Sequence, residues 1–133
     1  MRDKYTDTIR IGIVSKVNAN GTAQVTFPDR GTVSGNLRVQ CQGTGDVKIY
    51  MMPTVGERVY CLFDPESPST GCVIGSFYSD SRPPPIQDVN KVYMNFEDGS
   101  HFEYDKSTRS LSISVTGNIN ISAAEVFING TKI

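Results

Sequence analysis

One histidine and three cysteines provide the imidazole and thiolate groups of this 133-residue chain that could bind a transition metal. His101 stands alone, and Cys41, Cys61 and Cys72 have no CxxC spacing. Because a zinc or iron site needs several donors held close together, these residues predict no metal site and no cofactor. An odd number of cysteines also suggests no disulfide framework, so we interpret the thiols as small buried hydrophobic groups.

Two pairs of neighbouring carboxylates are the candidates for acid–base chemistry. Glu97 is adjacent to Asp98, and Asp64 lies two positions before Glu66. Both pairs occur in turn sequences, where acidic residues are common for structural reasons. We therefore expect no catalytic residues and predict that the protein is not an enzyme.

The charge balance limits what the surface can bind. Thirteen basic and fourteen acidic side chains give a formal net charge of −1, and no lysine or arginine cluster occurs along the sequence. A nucleic-acid groove needs a concentrated basic surface, so no nucleic-acid partner is expected. No charged leader with an apolar run opens the chain, and no segment approaches the roughly 20 apolar residues that span a bilayer. We therefore expect no signal peptide.

The elements that must position these residues are predicted to be β-strands. Gly, Pro, Asn, Asp and Ser interrupt short apolar runs throughout, and no window sustains the spacing of an amphipathic helix. The chain is therefore predicted to be all-β, with residues 1–7 as a polar arm. The predicted strands of the first part are residues 9–17, 22–27, 36–42, 59–63 and 72–78. Five strands are enough for a small closed barrel such as the OB-fold.

Two of these runs form a predicted hairpin. Residues 59–63 and 72–78 are strand-like, and the loop 64–70 between them is rich in Pro and Ser. Gly56 favours a turn before the first strand, and Gly75 favours a β-bulge in the second.

The hairpin also predicts where two thiols point. If the loop closes symmetrically, Phe63 lies opposite Gly71. Alternation along each strand then places Cys61 and Cys72 on opposite faces.

The order of residues in and after this hairpin resembles a known family. The matching residues are Met52-Pro53-x-Val55-Gly56-Glu57-x-Val59, Pro65, Pro68, Cys72-Val73-Ile74-Gly75-Ser76-Phe77-Tyr78 and the exit Ser81-Arg82-Pro83-Pro84-Pro85. The family is baseplate assembly protein V and the tail spikes of contractile phages, which are related to the spikes of type VI secretion and other contractile injection systems. The resemblance implies an OB-fold domain at residues 1–78.

The remainder of the chain divides into a linker and a second domain. Residues 79–90 contain three consecutive prolines and are predicted to be a semi-rigid linker. Residues 91–133 begin with a predicted hairpin around Asp98-Gly99 and a turn at residues 106–109. Short apolar runs that alternate with Ser and Thr then follow, which is typical of a stacked β repeat.

This repeat is too narrow to bury its apolar stripe within one chain. The simplest partners are identical chains, which gives a homotrimer whose C-terminal strands form an intertwined triple-stranded β-helix. The resemblance to spikes implies the same architecture. The predicted trimer-core residues are Leu111, Ile113, Val115, Ile119, Ile121, Val126 and Ile128.

Spikes of this family often end in a His-x-His motif that binds iron near the tip, and this sequence lacks the motif. His101 lies far from the end of the repeat and is interpreted as a strand-surface or trimer-interface residue. We therefore expect a separate tip protein, like the PAAR-repeat tips of related systems. The predicted tip or cap-binding residues are Asn129, Gly130, Thr131, Lys132 and Ile133.

The resemblance implies a structural central spike, a membrane-piercing needle seated on a baseplate hub protein and in transient contact with the target cell envelope. Such a protein is expected in a virion tail baseplate or an injection-system particle, after assembly in the bacterial cytoplasm. One alternative is an OB-fold module that binds single-stranded nucleic acid or oligosaccharide through Tyr50, Tyr60 and Phe63. Another is a trimeric receptor-binding fibre.

Overall fold

The computed structural model describes residues 8–133, and the backbone alone of Pro68. The polar arm expected at residues 1–7 lies outside the described residues. The prediction of an all-β chain is confirmed, because the described residues form eleven strands and no helix. Accordingly, the described part of the chain has no helix that could cross a membrane. The chain divides into two compact units, Met1–Pro83 and Pro84–Ile133.

The first unit is a closed β-barrel. Its strands are β1 (Ile9–Val17), β2 (Thr22–Phe27), β3 (Thr32–Val33), β4 (Leu37–Val39), β5 (Arg58–Asp64) and β6 (Ser67–Ser76). The ring runs β1-β2-β4-β6-β5 and returns to β1, while β3 only extends the edge of β2. All contacts in the ring are antiparallel except that between β4 and β6. This five-stranded closure confirms the predicted barrel, and its strand order is consistent with an OB-fold.

The barrel interior is filled by apolar side chains from five strands. The buried core residues are Val14, Ala23, Val25, Phe27, Leu37, Val59, Cys61, Phe63 and Val73. Phe27 and Phe63 meet edge to face, with ring centroids 5.9 Å apart. Burial of this set removes large apolar surfaces from water, which is the main force that stabilises the barrel.

The start of β1 turns its isoleucines outward. Ile9 and Ile11 are 61% and 47% exposed, whereas Gly12 and Val14 are buried. Gly12 fits because it has no side chain, since a Cβ there would overlap Val25 and lie 2.8 Å from the carbonyl oxygen of Thr26. Inward and outward residues therefore alternate along β1 as predicted. The side that packs against β2 contains Gly12, however, and not the isoleucines.

The hairpin of β5 and β6 is longer than its sequence pattern indicates. β6 begins at Ser67, so the predicted loop at residues 64–70 is wrong and only a tight turn remains. The pairing of Phe63 with Gly71 is confirmed. The bulge beside Gly75 is also confirmed, because Tyr60 and Cys61 pair with Gly75 and Val73 and leave Ile74 between them.

The three thiols have different surroundings. Cys61 is buried in the core and Cys72 lies on the other face of the hairpin, as predicted. Burial raises the pKa of Cys61 to about 11, so this thiol stays neutral at physiological pH. Cys72 is only half-buried, so the interpretation that the thiols are buried is correct for Cys61 alone; Cys41 is exposed. The reason is that β4 ends at Val39, short of the predicted run 36–42.

The second unit consists of two small sheets. A three-stranded antiparallel sheet contains β7 (Lys91–Asn95), β8 (His101–Asp105) and β9 (Ser110–Ser114). A two-stranded hairpin contains β10 (Phe127–Ile128) and β11 (Thr131–Lys132). The predicted hairpin around Asp98-Gly99 is confirmed, with Gly99 at a φ of 90°. The predicted turn at residues 106–109 is confirmed as well.

Candidate functional site: an uncovered apolar face

Strand register sorts the three-stranded sheet of the second unit into an apolar and a polar face. Residues directly opposite one another on paired strands point to the same side of a sheet. Each strand contributes two apolar side chains to one side, in two rows that cross the sheet. The rows are Val92-Tyr104-Leu111 and Met94-Phe102-Ile113. We call these six residues the apolar face.

The apolar face is exposed in the single chain. Its side chains range from 37% exposed at Tyr104 to 57% exposed at Leu111. Among the described residues of the second unit, only Ser100 is buried, so this unit has no hydrophobic core of its own. Covering one half-exposed side chain of this size contributes roughly 1 kcal/mol, and six of them form one continuous surface. A surface of this kind is typical of an interface.

The opposite face of the same sheet is polar. Lys91 Nζ lies 3.2 Å from Glu103 Oε1, and the ring of Tyr93 stacks on that of His101 with centroids 5.5 Å apart. The hydrogen bond to Glu103, and then its charge, raise the pKa of Lys91. Ser110, Ser112 and Ser114 complete this face on β9. The polar face thus contains side-chain contacts within one chain, whereas the apolar face has no covering layer among the described residues.

A hydrogen-bonded turn holds β7 and β8 in register and ties them to the end of β9. Asp98 Oδ1 accepts from the backbone amide of Ser100, and Asp98 Oδ2 accepts from the hydroxyl of Thr116 at 2.9 Å. The Ser100 hydroxyl accepts from the amide of Thr116. The Ser100 amide, followed by the Thr116 and Ser100 side chains, lowers the pKa of Asp98.

The stabilising effect of the Asp98 carboxylate on this turn is expected to depend on pH. Because the pKa of Asp98 is depressed in the folded chain, its stabilising effect is present above the ordinary value of about 3.9 and is lost as the pH falls through the folded value. In an NMR titration the Asp98 carboxyl should titrate with a midpoint below 3.9. Thr116→Val removes one donor and should move this midpoint back up. A wild-type midpoint at or above 3.9 would contradict the turn network.

The segment after β9 has no strand partner in the part of the chain that the structure describes. Residues 117–125 make no backbone hydrogen bond with any described residue. Ile119 and Ile121 in this segment are 55% and 72% exposed. Unpaired backbone donors and acceptors next to apolar side chains are what an added strand from another chain would satisfy.

The chain ends in a small hairpin. Phe127 pairs with Lys132 and Ile128 with Thr131 around Asn129-Gly130, both of which have positive φ. Two further contacts close its base: the Ile133 amide donates to the Val126 carbonyl at 3.0 Å, and Lys132 Nζ lies 3.2 Å from Glu125 Oε1. All five predicted tip residues lie in this hairpin or directly after it, and all are exposed.

The predicted trimer-core residues fall into three places. Leu111 and Ile113 belong to the apolar face, Val115 follows the end of β9, and Ile119 and Ile121 lie in the unpaired segment. Val126 and Ile128 lie at the terminal hairpin.

Four residues of the apolar face were missed from the sequence. They are Val92, Met94, Phe102 and Tyr104. Their alternation on both sides of Asp98-Gly99 is the signal that would have identified them.

The residues considered for chemistry do not assemble into a reactive site in the described part of the chain. The described residues contain no group of His, Cys, Asp or Glu that could hold a metal ion. His101 Nδ1 lies 3.0 Å from the carbonyl oxygen of Gly99. Asp64 Oδ1 accepts from the amide of Glu66, and Asp98 caps its own turn, so both carboxylate pairs do occupy turns as interpreted.

The three aromatic residues considered for base stacking do not share a surface. Phe63 is buried in the barrel core, so its proposed role in base stacking is wrong. Tyr60 points to the outside of β5, where its ring lies 4.7 Å from that of Phe77. Tyr50 lies on the long connection between β4 and β5.

Comparison with known proteins adds no family assignment. A scan against protein-family models finds no match, and a search of curated proteins finds none either. The resemblance of residues 52–85 to contractile-tail spikes therefore stays a prediction.

Proposed function

We propose that this protein is the homotrimeric central spike of a contractile phage tail or a related contractile injection system. In this assembly the barrel is an OB-fold domain that seats on a baseplate hub. The second unit forms a short intertwined triple-stranded β-helix that transmits the thrust of contraction to the target envelope.

The observation that carries this proposal is the uncovered apolar face. A sheet that exposes six adjacent apolar side chains on one side and presents a polar network on the other needs a partner on the apolar side only. Residues 117–125 need a partner of a second kind, since their backbone groups form no ladder with any described residue. Copies of the same chain supply both a matching apolar face and a matching strand.

The number of copies rests on a separate argument. Two copies would already cover each other's apolar faces, so burial of these faces alone does not require an assembly of three chains. A closed ring of strands that cross between chains leaves no exposed sheet edge, which a flat pair of sheets does not achieve. The resemblance of residues 52–85 to trimeric spikes supports the ring of three.

Exposed apolar residues on the first unit support a contact with a hub. Ile9 pairs with Leu62 and Ile11 with Tyr60 on the outside of the barrel, and all four side chains are exposed. The connection between β4 and β5 exposes a second apolar group. Its members are Val47, Ile49, Tyr50 and Met51.

The remaining parts of the proposal concern the tip and the place of action. The terminal hairpin after Glu125 would bind a separate PAAR-like tip protein, because it is a small exposed element with Ile128 and Ile133 uncovered. The assembled particle would act outside the producing bacterium, in brief contact with an envelope. Mixing the protein with a candidate tip protein and finding no complex would contradict the tip contact.

The first experiment is solution mass by light scattering, for the full chain and for a chain that lacks residues 89–133. The proposal predicts a species of three times the 14.6 kDa of one chain, which becomes a monomer on truncation. A monomer in both cases would remove the architecture on which the spike function depends. An OB-fold module that binds oligonucleotide or oligosaccharide would then become the leading candidate.

A further inference from the structure

A cavity of about 370 Å³ opens at one end of the barrel. The start of β1 lies beside the ends of β2 and β5 because β1 is antiparallel to both. Arg10, Phe27 and Phe63 come from these three strand ends and line the cavity together. The polar residues around them are Arg30, Thr32, Ser34 and Ser69.

Arg10 is the unusual residue of this cavity. It shares the inward side of β1 with Gly12 and Val14, where a core side chain is expected. Its guanidinium carbon lies 3.7 Å from the centroid of the Phe27 ring and 5.4 Å from that of Phe63. Its Nε and Nη2 atoms are sealed from solvent, and neither has a hydrogen-bond partner among residues 8–133. Cation–π contact offsets part of the cost of removing this cation from water, but it supplies no acceptor for the N–H groups.

The described residues of the cavity wall offer Arg10 no counter-charge. None of the described residues that line the cavity is acidic, and Arg30 adds a second guanidinium. The carboxylate of the neighbouring Asp29 forms an ion pair with Arg30, with Oδ2 3.7 Å from Arg30 Nε. A desolvated guanidinium without a counter-charge is costly, and an anion in the cavity would relieve that cost.

We propose that the barrel-end cavity is a binding site for a small oxyanion, a carboxylate or phosphate group that pairs with Arg10. The planar fork of a guanidinium matches the two oxygens of either group. Arg10 lines the cavity, so rotation about its terminal side-chain bonds turns the sealed nitrogens toward an anion there. The hydroxyl groups of Thr32 and Ser69 provide further donors on the cavity wall. The site lies wholly within the first unit and does not depend on the spike function.

The test uses the full chain and follows the thermal transition of the barrel by circular dichroism. Inorganic phosphate and acetate are the probes, and chloride at equal ionic strength controls for screening. At an anion concentration ten times the dissociation constant, the stabilisation is about 1.4 kcal/mol, and the melting temperature should rise by roughly 6 to 11 °C above that in chloride. Stabilisation by phosphate alone assigns a phosphate ligand, and stabilisation by acetate assigns a carboxylate. If neither anion stabilises the barrel beyond chloride, the proposal is wrong.

Three variants separate a binding role of Arg10 from a structural one. Arg10→Met should abolish the anion-dependent rise, whereas Arg58→Met, an exposed arginine on β5 outside the cavity, should retain it. In chloride, Arg10→Met should melt at or above the wild-type temperature, because the unpaired cation is gone. A lower melting temperature together with an unchanged anion response would overturn the proposal. Arg10→Lys keeps the charge and serves if the Met variant does not fold; its anion affinity should fall at least roughly tenfold.

Discussion

Replacing Ile113 by aspartate is expected to convert the proposed trimer into single chains. Ile113 lies on the edge strand β9, beside Phe102 in one row of the apolar face, and is 54% exposed in the single chain. The substitution removes about 1 kcal/mol of burial and places an unpaired carboxylate in an apolar interface, which costs several kcal/mol more. Every copy carries the change, and each 1.4 kcal/mol corresponds to about a tenfold weaker association. Light scattering at micromolar chain concentration should therefore detect the monomer alone.

The matched control is Ser112→Asp. Ser112 is the preceding residue of β9 and lies on the polar face opposite Glu103, so the same charge is added to the same strand on the other side. This variant should have the same assembled mass as the wild type. Repulsion between the new carboxylate and Glu103 should destabilise the sheet only slightly. Equal loss of mass in both variants would mean that β9 itself was disrupted. An unchanged mass for Ile113→Asp would mean that the apolar face is not the interface.

Phe27→Ala is expected to cost the barrel about 3 to 5 kcal/mol of its free energy of unfolding. The Phe27 ring is buried, meets Phe63 edge to face and lies under the guanidinium of Arg10. Removal of the ring leaves a cavity between these two groups. Since small domains have only about 5 to 15 kcal/mol of stability in total, the barrel transition should shift to much lower urea concentration.

The control for this prediction is Val33→Ala on the neighbouring short strand. Val33 is 58% exposed, so its truncation should change the free energy of unfolding by less than about 0.5 kcal/mol. Both variants should be measured by urea unfolding in chloride buffer, with circular dichroism as the signal. If the two variants lose equal stability, Phe27 does not have the central position in the core that its burial indicates.

The sequence predicted the bounds of a barrel strand correctly where a turn residue and apolar alternation mark both ends of the strand. β1 and β2 have the predicted bounds because Gly21, at a φ of 88°, ends their connecting turn and apolar residues alternate on either side. β6 was predicted too short because its first residues are polar. Asp64 pairs with Ser67, so the hairpin continues where side-chain pattern gives no indication of a strand.

Alternation alone could not predict which side of β1 is buried. A strand of alternating isoleucines favours burial of the isoleucine face, but the space available between β1 and β2 accepts no side chain at position 12. The inward position of Arg10 has the same cause, because Arg10 lies on the same side of β1 as Gly12 and Val14. A charged residue in a strand is typical of a surface position, and nothing adjacent in sequence marks Arg10 as a cavity residue.

The apolar face was predictable in part. Leu111 and Ile113 were identified from their alternation with serine, whereas Phe102 and Tyr104 were treated as part of a hairpin and not as members of one surface. The register across β7, β8 and β9 joins them, and register depends on the turn at Asp98-Gly99 and on pairing between strands. In the proposed trimer this surface is covered by other chains, and a single sequence indicates such contacts only through the apolar residues that it leaves uncovered.

The unequal distribution of buried residues sets the order in which the proposed assembly can be made. All buried apolar side chains of the described chain belong to the barrel, so the barrel can complete its folding as a first-order process at any dilution. Residues 117–125 have no backbone partner in the described part of the chain, so in the proposed assembly their pairing must wait for collisions between chains, at a rate that rises with concentration. A newly made chain would therefore pass through a stage with a finished barrel and open strand edges. The yield of intact particles would depend on how quickly three chains meet, because open edges also recruit incorrect partners.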